Sequence, residues 1–225
     1  MLAGVPASRR LTGDEDEVTL QQPIRVEVCT DSLAGVRMAA RAGVDRVEIC
    51  AGWCEGGTTP SAGTIRLSVR ESVPVVVLVR PRGGRFCLDD CEFEVVLEDV
   101  RQARRHGARG VATAALTADG RLARDRLKRI REEAGDMELT FHRAFDFTRD
   151  PAEALETLVE VGFRRVLTSG GAERALDGVE RIAECVAQAA GRIDVVAAGG
   201  VAAAHLPSLL ELTGVHEIHL SARRV

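Results

Sequence analysis

The sequence predicts an α/β protein built as a single eight-stranded (β/α)8 barrel of the TIM type. Two observations carry that prediction. Short runs rich in Val and Ile alternate with amphipathic stretches along residues 23–225, the pattern of a parallel sheet with helical crossovers. There are eight such runs and no linker-like segment between them, which favours a closed barrel over an open doubly wound sheet.

Residues 1–22 are polar, with Asp14, Glu15, Asp16 and Glu17 in a row. They read as a flexible extension. They lack the apolar stretch of a secretory signal, and the acidic cluster argues against a transit peptide. The expected strands then cover 24–29, 46–50, 75–80, 110–116, 138–142, 165–169, 194–198 and 217–220. Between them, Phe93, Val96, Leu97 and Val100 recur at helical spacing, as do Leu176, Val179, Ile182, Ala183 and Val186. Asp150-Pro151-Ala152-Glu153 supplies an N-cap, a first-turn proline and a capping-box acid. Gly43, Gly107, Gly135, Gly162, Gly191 and Gly214 each fall where a helix should close in the left-handed conformation. No helical stretch follows the last strand. Typical barrels run to ~250 residues, so a missing C-terminal tail is the first expectation. The other is a second subunit covering the groove between strands eight and one, which makes a homo-oligomer the expected state.

Apolar residues make up 45% of the chain and charged residues 28%, with a formal net charge of -4. Nothing in that balance points to nucleic acid or to an anionic membrane, and no apolar run is long enough to span a bilayer. The six cysteines are expected as reduced thiols in a cytoplasmic protein.

One phrase occurs twice. Arg25-Val26-Glu27-Val28-Cys29 returns as Arg46-Val47-Glu48-Ile49-Cys50. Side chains two apart on a strand share a face. The helix-facing side of a barrel strand must be apolar, so the charged parity is assigned to the lumen. Glu27, Cys29, Glu48, Cys50, Leu78, Arg80, Thr140, His142, Glu217 and His219 then point inward. Phe141, Ile218 and Leu220 point outward. So many buried polar groups must pair with each other or with a ligand. Internal pairs such as Glu27–Arg46 or Glu48–Arg80 are one reading. A ligand site at the C-terminal ends of the strands, where barrels place their chemistry, is the other.

At these residues the chain resembles the CutC family, associated with copper homeostasis. The resemblance rests on Val26-Glu27-Val28-Cys29-Thr30-Asp31-Ser32, on Asp45 to Cys50, and on Glu55-Gly56-Gly57-Thr58-Thr59-Pro60-Ser61. It continues through Arg80-Pro81-Arg82-Gly83-Gly84, Thr140-Phe141-His142-Arg143-Ala144-Phe145-Asp146 and Val166-Leu167-Thr168-Ser169-Gly170. It implies a self-associating barrel with copper at two cysteines, which map onto Cys29 and Cys50. It also implies a chain continuing past Ser221-Ala222-Arg223. Cu(I) is soft and prefers sulfur, so two thiols on neighbouring strands suit it, meeting diagonally across the barrel stagger. Cys54 is a possible third sulfur. Cys87 and Cys91 lack an accompanying His, and Cys185 sits on an apolar helical stripe.

A second reading is an enzyme acting on a small phosphorylated or otherwise anionic substrate. Arg80, Arg82 and Arg143 offer forked donors. The loops at Ser169, Gly199, Gly200 and Ser221 could present backbone N–H groups to an anion. Glu27 or Glu48 would serve as general base and His142 as acid–base group. A third reading is a non-catalytic binding module whose lumen holds only charge pairs.

Overall fold

The computed structural model describes residues 23–221. The expected N-terminal extension and the segment after Ser221 lie outside them. Eight parallel strands close into a barrel in chain order. They are β1 Arg25–Thr30, β2 Arg46–Ile49, β3 Val75–Leu78, β4 Gly110–Thr113, β5 Glu138–Phe141, β6 Arg165–Thr168, β7 Asp194–Ala198 and β8 Glu217–Ser221. The outer helices are α1 Leu33–Ala42, α2 Ala62–Ser68, α3 Asp90–His106, α4 Arg124–Ala134, α5 Pro151–Val161, α6 Val179–Ala189 and α7 Leu206–Thr213. Among the described residues no helix follows β8. The outer face of β1 is correspondingly less covered: Val26 and Val28 are half-buried where Val47 and Ile49 on β2 are fully buried.

Local chemistry sets the boundaries. Ser32, Ser61, Asp89 and Asp150 each accept backbone N–H groups at the start of a helix. The full capping box forms at Asp89 and Glu92, where the two side chains bond each other's backbone N–H. Gly43, Gly107, Gly162 and Gly214 close their helices in the left-handed conformation, as expected. Gly191 does not. Ala190 takes that position at φ 46°, and Gly191 follows it. Several strands stop earlier than expected, so Cys50, Arg80, His142 and Ser169 stand at the beginnings of the βα loops.

The parity assignment holds. Val47, Ile49, Val75, Val77, Val111, Leu139, Phe141 and Val166 join the helices in one continuous apolar layer. On the lumen side, Cys29, Cys50, Val76, Leu78 and Ala112 form one small apolar cluster, and Leu167, Val196 and Ala198 form another. The remaining lumen positions near β1, β2 and β8 are polar.

One loop depends on close backbone approach. A Cβ on Gly178 would lie 2.0 Å from the Ser169 carbonyl oxygen, and one on Gly170 would lie 2.2 Å from the Gly178 oxygen. These glycines let the start of α6 press against the loop after β6. Gly178→Ala is therefore expected to cost ~1–3 kcal/mol as overpacking, read from the urea midpoint. A midpoint equal to that of the parent protein would show that this approach is not needed.

Candidate functional site

The doubled phrase becomes chemistry through the stagger of β1 and β2. The two copies do not pair position for position. Glu27 stands beside Arg46, and Cys29 beside Glu48. The acid of the first copy thereby meets the arginine of the second, and the thiol of the first meets the acid of the second.

The first meeting is an ion pair. Arg46 Nε donates to Glu27 Oε2 at 2.5 Å, and Arg46 Nη2 donates to Glu217 Oε2 at 2.9 Å. All three side chains are buried. Arg25 closes the chain towards the lower end, 2.9 Å from Glu217 Oε1. On the other side Glu27 Oε1 lies 2.7 Å from His219 Nδ1. Burial opposes charge on Glu27, but the hydrogen bond to His219 and the charge of Arg46 hold its pKa down at about 2. For His219, burial works against the cation, and the Glu27 hydrogen bond with the charges of Glu48 and Glu27 outweighs it, so its pKa is raised. The two shifts agree on a charged pair.

The second meeting is the thiol site. Cys29 Sγ donates to Glu48 Oε1 at 3.2 Å and lies 3.7 Å from Cys50 Sγ. Cys50 Sγ also contacts the Thr30 carbonyl at 3.5 Å. The sulfurs meet on the diagonal, because Cys50 lies two residues beyond Glu48. The contact with Cys50, then burial, then the Glu48 charge push the Cys29 thiol well above its ordinary pKa. Burial pushes the Glu48 carboxyl up, and the charge of His219 only partly offsets it. Glu48 Oε2 is buried with no hydrogen-bond partner among the described residues. Such an orphan typically costs ~1–3 kcal/mol or more.

Above this floor a cavity of about 280 Å³ opens at the C-terminal end of the barrel. Cys29, Glu48, Cys50 and His219 form its base, with Trp53, His142, Arg143, Gly199 and Ser221 on its walls. A larger hollow of about 480 Å³ lies at the other end, beside Arg104 and Arg109. It is lined by no thiol and no imidazole, and Arg109 is already paired with Glu138.

The other expected site residues divide. Arg80 reaches the cavity but is bound to loop carbonyls of Glu55, Gly57 and Gly84 and stacks on Phe86. The expected Glu48–Arg80 pair does not form; Glu48 faces Cys29 instead. Arg82 turns outward to Glu92 and to the carbonyls of Gly83, Arg85 and Cys87, because the capping carboxylate and the loop backbone offer it acceptors at no cost in burial. It does not line the cavity. Arg143 does, with its guanidinium steadied by Asp146 and Ser169. Ser169 is consumed by Asp146 and the Ala172 carbonyl. Gly199 lines the cavity, whereas Gly200 packs against the Arg174 side chain. His142 is buried, and its Nδ1 accepts from the Ala144 N–H, leaving the ring proton on Nε2. Burial and then the charge of Arg80 bring its pKa down to about 3, so it stays neutral. Glu27 is fully engaged by Arg46 and His219. Cys54 and Cys91 are exposed and Cys185 is buried in the outer layer. His219 is inward-facing by the alternation of β8, but its role beside Glu27 emerges only in the structure; the alternation of Glu217 and His219 on a strand paired with β1 is the signal that points to it.

Fold and site together define a class: a single (β/α)8 barrel whose mouth is floored by paired thiols, a carboxylate and a carboxylate-held imidazole. The chain belongs to the CutC family, whose model matches residues 24–224. It is 46% identical over 200 residues to a copper homeostasis protein cutC homolog from Homo sapiens, covering 88% of this chain and 73% of that one. A family protein CutC from Klebsiella pneumoniae (strain 342) is 48% identical, with 88% and 79% covered. The solved CutC structure from Streptococcus agalactiae superposes with a TM-score of 0.84 at 29% identity, covering 89% and 99%.

Arg46→Met would remove the cation that Glu27 and Glu217 share, leaving them only His219 and Arg25, and is expected to cost ~3–5 kcal/mol in urea unfolding. A loss below ~1 kcal/mol would place the network's weight elsewhere. The Glu27–His219 pair also sets a pH window. Glu27 is depressed on folding, so its contribution is present above its ordinary value of 4.5 and is lost as pH falls towards about 2. His219 is raised, so its contribution is present below its ordinary value of 6.5 and is lost as pH climbs through the raised one. The pair should stabilise most between 4.5 and 6.5. Urea midpoints measured against pH should lose this acid-side slope in Glu27→Gln.

Proposed function

We propose that this protein takes up one Cu(I) ion on Cys29 and Cys50 as its cargo, at the floor of the barrel mouth. The observation that supports this most is the 3.7 Å separation of two buried sulfurs at the base of an opening cavity. Metal–thiolate bonds are about 2.3 Å, taking zinc as the guide. A pair 3.7 Å apart can therefore share one ion in a bent arrangement without moving the strands. Cu(I) favours thiolate over harder donors, and the name of the human relative points to copper. The ion would supply no chemistry of its own in this role. The residues bind it, bury it and screen it from water, and the thiol protons must leave as it enters. The six cysteines are all free, which suits a reducing cytoplasm, and no described helix is long and apolar enough to cross a membrane.

One observation favours a second reading, a barrel enzyme for a small anionic substrate. The cavity is larger than an ion needs, and Arg143 and Ser221 line it. Within that reading Glu48 is the better placed of the two candidate bases, since Glu27 has no lone carboxylate oxygen to offer. Arg82 takes no part.

Titration of the reduced protein with Cu(I) against a chromophoric chelator should show one tight equivalent. Cys29→Ser and Cys50→Ser should each weaken it at least about a hundredfold, and Cys185→Ser should leave it unchanged. Unaltered stoichiometry and affinity in the Cys29→Ser, Cys50→Ser double variant would sink the copper reading.

A further inference from the structure

Cys29 belongs to a second donor set. One donor atom from each of Cys29, Glu48 and His219 lies within 4.8 Å of the other two. Two features set this group apart from an ordinary polar cluster. Glu48 is 4% exposed, yet its Oε2 has no partner among the described residues. A cation beside it would satisfy that oxygen. His219, in turn, is held as metal-binding histidines are. Its Nδ1 faces Glu27 at 2.7 Å, which leaves Nε2, once its proton is given up to solvent, as the nitrogen for an ion. A carboxylate behind a ligating imidazole fixes its tautomer and raises its basicity, and such carboxylates are themselves hydrogen-bonded. Here Arg46 holds Glu27, and Glu217 holds Arg46. The outer shell of a metal site is thus already built.

The donor chemistry selects the ion. The set is one sulfur, one imidazole nitrogen and one carboxylate oxygen. A hard carboxylate is a poor partner for Cu(I), whereas Zn(II) accepts all three donor types. We propose that Cys29, Glu48 and His219 form a divalent-metal site of the zinc class, which differs from the sulfur pair in its ion and in two of its three ligands. Three protein ligands leave a fourth position for water or a substrate atom, the pattern of catalytic rather than structural zinc. The two sites share Cys29, so a divalent ion and Cu(I) exclude one another. That last clause rests on the copper reading; the divalent site does not.

Cobalt(II) is the probe, because tetrahedral Co(II) absorbs in the visible and reports sulfur ligation by charge transfer. The reduced, metal-free protein should bind one Co(II) with both signatures, and Zn(II) should displace it. Glu48→Gln and His219→Gln should each weaken Co(II) at least about a hundredfold while still binding Cu(I), which also shows that these variants are folded. Glu27→Gln should weaken Co(II) by about 10–100-fold. Cys50→Ala should keep Co(II) and lose Cu(I), and Cys29→Ala should lose both. Co(II) binding that is absent, lacks the sulfur band, or survives Glu48→Gln and His219→Gln overturns the divalent site. So does Co(II) binding lost as completely in Cys50→Ala as in Cys29→Ala, since the ion would then sit on the sulfur pair. Cu(I) binding that survives Cys50→Ala overturns the copper reading alone.

Discussion

The lumen of this barrel depends on one guanidinium. Arg46 lies between Glu27 and Glu217, and no other described cation bonds Glu27 as a permanent charge. Three dry charges arranged acid–base–acid leave an excess of negative charge, which Arg25 meets from below and His219 from above. The arrangement requires the β1–β2 stagger. With the two copies of the phrase in direct register, like groups would stand side by side: arginine by arginine, acid by acid. The shear of the barrel turns a repeat that would be repulsive into a complementary one.

The same chain of contacts orders the mouth. His219 is oriented by Glu27, and it is the charge of His219 that moderates the buried Glu48. Glu48 takes the thiol hydrogen of Cys29. On the opposite wall a separate hub does comparable work. The Asp146 carboxylate accepts from Thr168, from the Ser169 backbone and hydroxyl, from the Gly171 N–H and from Arg143. One wall is therefore set by an ionic series and the other by a saturated carboxylate, and the cavity lies between them.

Much of this was legible in the sequence. Period-two alternation in residues such as Val47-Glu48-Ile49-Cys50 separates the lumen from the outer layer without a structure, and it placed Glu217 and His219 correctly. The Glu27–Arg46 pair was legible too, since both are inward-facing on neighbouring strands. Partners chosen by loops were not. Arg80 and Arg82 lie two residues apart in one loop, yet one is held over the cavity by backbone carbonyls and the other is drawn out by Glu92. No periodicity encodes which acceptor a long side chain finds first. The closeness of Cys29, Glu48 and His219 was hidden for a related reason. It needs the closure of β8 onto β1, a contact between chain ends 192 residues apart.

The dry ionic series also bears on how the molecule responds to heat. Charged groups lose hydration free energy as temperature rises, so the penalty for keeping Glu27, Arg46 and Glu217 away from water shrinks. Apolar burial in the layer between strands and helices gains nothing comparable, because its stabilisation per unit area levels off. The two halves of the barrel therefore differ in thermal character. The outer layer carries the fold at ordinary temperature, and the inner column contributes a growing share as the protein is warmed.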